Sequence, residues 1–120
     1  MRNFIQEGRT LTYTNAGAAI PAGAVVPVGG IIGVAIADIP SGASGELATE
    51  GVFEVPKANG SAINAGTAPI WDVSAGKFVP AGTATAAGDV SGAVVAWATA
   101  ASAATTVKVK LGAAVGTVAT

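Results

Sequence analysis

The chain has 120 residues, a net charge of −1, no Cys and no His, and is 51% hydrophobic but only 11% charged. That length supports one domain around a single core, and the missing Cys and His exclude disulfides, thiolate chemistry and zinc sites of the Cys/His type. Ordinary soluble domains carry about 25% charged residues, so this surface is either built of small, weakly polar residues or covered by copies of itself or a partner.

In chain order, Met1-Arg2-Asn3-Phe4-Ile5-Gln6-Glu7 carries two charges and no long apolar run, which is unlike a signal peptide. Arg9-Thr10-Leu11-Thr12-Tyr13-Thr14 alternates with period two, setting Leu11 and Tyr13 on one face and threonines on the other. Val25 to Val28 and Ile31 to Ala37 predict two strands joined through Gly29-Gly30, a pair suited to a tight turn with positive φ. The surrounding apolar stretch, Ala22 to Ile39, is interrupted by Pro27, Gly29, Gly30 and Gly33. It does not read as a membrane helix of about 20 residues, and the protein is expected to be soluble and made in a cytosol.

Val52-Phe53-Glu54-Val55 predicts a short strand stopped by Pro56, with Glu46, Glu50 and Glu54 solvated rather than stacked on a helix. Pro69 to Val73 predicts another, which Ser74-Ala75-Gly76 turns into Lys77-Phe78-Val79. Val90 to Ala98 is a further strand. Thr105 to Leu111 is the clearest alternating one, with Lys108 and Lys110 on one solvated face. Ala96 to Ala104 has the composition for one or two helical turns, but no segment sustains a 3.6-residue apolar stripe.

These elements predict an all-β fold, a compact β-sandwich or flattened β-barrel with at most one or two short helical turns. Residues 1–8 form an N-terminal arm and residues 9–120 a single β domain. Ala19-Ile20-Pro21-Ala22-Gly23 echoes Ala62-Ile63-Asn64-Ala65-Gly66, and Ile32-Gly33-Val34-Ala35 echoes Ser91-Gly92-Ala93-Val94. Two similar halves and chance similarity in an Ala- and Gly-rich chain both account for that echo.

No catalytic, cofactor or metal residue emerges, and the chain is not expected to be an enzyme. A triad lacks its usual base without His, and no Ser-x-x-Lys spacing replaces it. Around Gly76-Lys77, Trp71 and Phe78 stand where a phosphate-binding loop requires Gly and Ser/Thr. An EF-hand loop is absent too. Asp38, Glu46, Glu50, Glu54, Asp72 and Asp89 show no spacing that pairs carboxylates for acid/base work. Asp72 reads as a turn cap. Trp71 beside it reads as core or turn packing, with an interface anchor as the alternative, and Trp97 reads as core. The six cations (Arg2, Arg9, Lys57, Lys77, Lys108, Lys110) are scattered and the pI is about 5.1, so no nucleic-acid footprint is present.

Four segments, in this order, resemble the tailed-phage capsid cement (head decoration) family: Asn3 to Gly8 with the alternating Thr strand after it, Gly51 to Lys57, Ala65 to Asp72, and Val107 to Leu111. The chain departs from the family pattern at Ile70, where an aromatic commonly precedes the Trp-Asp pair. The resemblance implies a homotrimer on the outside of a phage head that bridges subunits of the major capsid protein without any cofactor. It also implies that Arg2, Asn3, Phe4, Ile5 and Gln6 form the capsid-contact strand. Some family members carry a RecA-like recombinase label, which this chain's lack of a phosphate loop and of a basic surface contradicts. The alternative function is a β-sandwich binding module for glycans or host surfaces, which asks for exposed aromatics among Trp71, Phe78 and Tyr13.

Overall fold

The structure, a computed structural model, describes residues 3, 5–6, 8–112 and 114–120. Alternation of apolar and small polar residues gives eleven strands among them. These are β1 (Thr10–Thr14), β2 (Val25–Val28), β3 (Ile31–Ala35), β4 (Ser44–Ala48), β5 (Glu50–Pro56), β6 (Ile70–Asp72), β7 (Lys77–Val79), β8 (Val90–Ser91), β9 (Val94–Ala96), β10 (Thr106–Gly112) and β11 (Thr117–Val118). They form three antiparallel sheets, ordered β1-β4-β3-β2, β5-β10-β9 and β11-β8-β6-β7. The all-β class and an open, sandwich-like arrangement agree with the sequence expectation, and no helical turn occurs among the described residues.

Each strand follows from its residues. In β1, Leu11 and Tyr13 pack against a small core while Thr12 and Thr14 face solvent. β2 and β3 meet through Gly29, whose φ of 57° is the left-handed conformation that the turn needs. β10 alternates without a break, with Val107, Val109 and Leu111 in and Lys108 and Lys110 out. The predicted strand Val90 to Ala98 is two strands, split at Gly92-Ala93. The sequence places a strand leading to Gly51 without fixing its bounds, and this is β4; β11 has no counterpart in the sequence reading.

The internal echo is structural. Ile20 and Ile39 exchange backbone hydrogen bonds of 2.9 and 2.8 Å, and Ile63 and Ala100 do the same at 3.0 and 2.8 Å. The Gly23 N–H donates to the Ala35 carbonyl, and the Gly66 N–H donates to that of Ala96. Side-chain caps correspond as well. Asp38 Oδ1 accepts from the Ala22 N–H, and Thr99 Oγ1 from the Ala65 N–H. β1 pairs with β4 as β5 pairs with β10. In the first half the first strand lies beside the last, a Greek-key arrangement, and the second half repeats that pairing. The register of the echo differs from the one its motifs suggest. These bonds align Ala35 with Ala96, so Gly33 corresponds to Val94 and not to Gly92. The second half also carries an extra excursion between Trp71 and Val90, which contains β7.

The main core joins Val55, Ile63, Trp71, Phe78, Val90, Val94, Val107, Val109 and Leu111 with Ile32 and Val34 from the first half. A smaller core holds Val26, Ala35, Ile39 and Leu47, with Leu11, Tyr13, Ile20 and Val28 packed around it.

Two buried polar residues hold the loops at matching places, just after β1 and β5. Asn15 (2% exposed) donates from Nδ2 to the carbonyls of Ala18 at 2.8 Å and Ile39 at 3.1 Å. Lys57 (1% exposed) donates from Nζ to the carbonyls of Ala58 at 2.8 Å, Ala104 at 3.2 Å and Ser102 at 3.4 Å. The ammonium thus ties down the turn at 102–104, donating to the Ala104 carbonyl and adding a second, longer bond to the Ser102 carbonyl, which also accepts from the Gly60 N–H at 2.7 Å. Lys57→Met keeps the stem but removes those donors, and it should lower unfolding stability in urea by about 2 kcal/mol or more. Unchanged stability would show that the three carbonyls do not depend on it.

Candidate functional site

The side chains that carry chemistry are occupied by structure. Asp38 accepts from the Ala22 N–H at 2.8 Å. Asp72 accepts from Ser74 Oγ at 2.9 Å and the Ala75 N–H at 3.2 Å, the turn cap expected of it. Asp89, 4% exposed, accepts from the Val73 and Ala86 N–H groups at 3.1 and 2.9 Å. Glu46 accepts from Thr12 Oγ1 at 2.6 Å. Glu50 lies 3.9 Å from Arg9 Nε, and Glu54 stands opposite Lys108 across the β5–β10 ladder. Among the described residues no group of three or more Asp or Glu could hold a metal ion, and every buried side-chain N or O has a partner. No helix among them is long and apolar enough to cross a membrane.

What the surface does offer is apolar. On the outer face of β5-β10-β9, Lys110 pairs across to Val52 on one side and Val95 on the other. Val52 is 45% exposed and Val95 43%. Trp97 continues that face, 56% exposed, with Lys110 Nζ 4.9 Å from its ring centre, a cation–π contact. Trp97 is therefore not the core residue that the sequence leads one to expect. Ala96, 1% exposed, takes the inward position, so the next residue must point out.

Trp71 occupies the core. It is 6% exposed, edge-on to Phe78 with ring centres 4.9 Å apart and planes at 63°, so little of its ring remains for a partner. Of the expected contact strand, Arg2 and Phe4 lie outside the described residues. Asn3, Ile5 and Gln6 are exposed, Ile5 at 85%, and Gln6 Nε2 donates to the Thr10 carbonyl at 3.0 Å. Sequence reasoning missed the Val52–Val95–Trp97 face because nearly every residue from Val90 to Ala98 is apolar or small, which hides the alternation.

A duplicated β unit with its carboxylates in structural roles and aliphatic and indole surface on display has the make-up of a packing protein. The chain belongs to the phage cement protein family, whose sequence profile matches residues 5–111. No curated protein and no solved structure is similar enough to match it. Family membership makes it a structural protein of the phage capsid, located in the virion.

The two tryptophans should be separable by fluorescence. Trp97→Phe should leave a blue-shifted emission that iodide barely quenches, and Trp71→Phe a red-shifted, readily quenched one. Trp71→Ala should cost about 3–5 kcal/mol of stability, whereas Trp97→Ala should change it by less than about 1 kcal/mol. Equal quenching of both rings would contradict these positions.

Proposed function

We propose that the protein trimerises on the outside of the phage head and bridges neighbouring subunits of the major capsid protein. In this reading Arg2, Asn3, Phe4, Ile5 and Gln6 form the contact strand that adds to an exposed sheet edge of the shell. The family match carries the proposal, and the exposure of Ile5 just ahead of β1, an edge strand, supports it. An apolar side chain left 85% in water has most of its burial still to gain. The action is stoichiometric and needs no catalysis. Binding that favours the assembled shell stabilises it by mass action, so a modest interface repeated over the head is enough. The chain is made in the host cytoplasm and acts once the shell is present.

The three aromatics on which the glycan- or host-binding alternative rested are not displayed, because Trp71 and Phe78 are buried and Tyr13 is half-buried; the exposed aromatic is Trp97.

Cosedimentation with purified shells of its own phage tests the proposal. The full chain should pellet with the shells, and deletion of residues 1–6 should leave the fold intact while weakening binding about tenfold or more. Undiminished binding after the deletion would remove the contact-strand assignment. A full chain that never pellets with shells would remove the cement role itself.

A further inference from the structure

The two halves are alike, yet the chain covers them unequally. The inward face of the second half is closed, with Val55, Val107, Val109 and Leu111 at most 2% exposed. Part of the cover comes from the first half. In β3, Ala35 faces its own small core, and by alternation Ile32 and Val34 face the other way. Those two side chains join the main core, against the second half. Within one chain, then, the back of the first half meets the front of the second.

Two faces are left over. On the back of the second half, Val95 is the counterpart of Val34, but it is 43% exposed where Val34 is 3%. On the front of the first half, Leu11, Tyr13, Ile20 and Val28 are only partly buried. Of their counterparts Phe53, Val55, Ile63 and Trp71, the last three are buried. One face lacks a cover and the other lacks something to cover. They are the counterparts of two faces that already fit each other.

We propose that a second copy of this chain docks head to tail, the back of its second half, around Val52 and Val95, closing the front of the first half around Leu11, Tyr13 and Val28. The contact repeats between chains the packing that Val34 makes within one, while Ala93, the counterpart of Ile32, is already buried in the main core of its own chain. Trp97 sits at the rim, as its counterpart Ile36 does, both 56% exposed. Because the two contacting faces differ, the interface is heterologous and adds copies until a ring closes. Resting on the trimer proposed above, such a ring contains six like halves from three chains. This is an interface between copies, distinct from the capsid-contact strand at residues 2–6.

Size-exclusion chromatography with light scattering tests it, using the full chain, Val95→Glu and Tyr13→Glu, each checked for fold by circular dichroism. Should Tyr13→Glu fail to fold, Val28→Glu on edge strand β2 takes its place. The unmodified chain should be a closed oligomer. Val95→Glu, on an exposed face, should keep the wild-type spectrum and weaken self-association about a hundredfold, since it replaces an apolar contact side chain by a second charge beside Lys110, its cross-strand neighbour. The two variants should each be monomers and form a dimer, and nothing larger, when mixed, because each retains the face that the other lacks.

A monomeric unmodified chain, an undiminished Val95→Glu oligomer, or variants that stay monomeric on mixing would each overturn the head-to-tail contact. Shell cosedimentation of the unmodified chain keeps the two ideas apart. Shell binding with an unaffected Val95→Glu oligomer removes only this interface, and absent shell binding removes only the cement role.

Discussion

Ile32 and Val34 turn away from their own sheet and fill the core of the other half of the chain. Much else depends on that placement. The first half buries only four apolar residues in its own cluster, too few to offset the chain entropy of ordering it alone. By lending two branched side chains to the second half, it gains a place in one continuous core. The arrangement also fixes which surfaces are left uncovered, and so where further packing is available. A chain with 11% charged residues has few other ways of engaging a partner.

Polar groups serve the same end. Asn15 and Lys57 stand at matching positions, and both spend their donors on backbone carbonyls of the loops that close each half. Asp38 and Thr99 cap matching loops with different chemistry. The two halves thus share hydrogen-bond positions while differing in the residues that fill them. Every Asp and Glu considered as a candidate catalyst has a structural partner or a cross-strand neighbour. This suits a structural protein of the phage capsid.

Strong alternation was legible in the sequence, and weak alternation was not. β1 and β10 could be read with their faces because Thr and Lys mark the solvent side. The bounds of β4 were unreadable because Leu47 is its only large apolar residue. Its Gly45 is small because Ile39 packs where a Cβ would sit, with the Ile39 Cγ1 only 2.5 Å away. β11 is two residues long and exists only through its pairing with β8. The faces of β9 were unreadable because Val94, Val95 and Ala96 look alike, so Trp97 was assigned to the wrong side. The duplication was visible in Ala-Ile-x-Ala-Gly, but its register needed the hydrogen bonds. Lys57 carries no sequence mark of burial. Its role depends on carbonyls more than forty residues away.

A cement protein must make the shell harder to break, whatever the details of its contacts. Calorimetric melting of emptied shells, with the protein absent and then added back to saturation, measures that property. The account predicts that shell disruption moves to higher temperature with added protein, and that the shift is lost when residues 1–6 are removed. Shells that melt at the same temperature with the protein bound would contradict it.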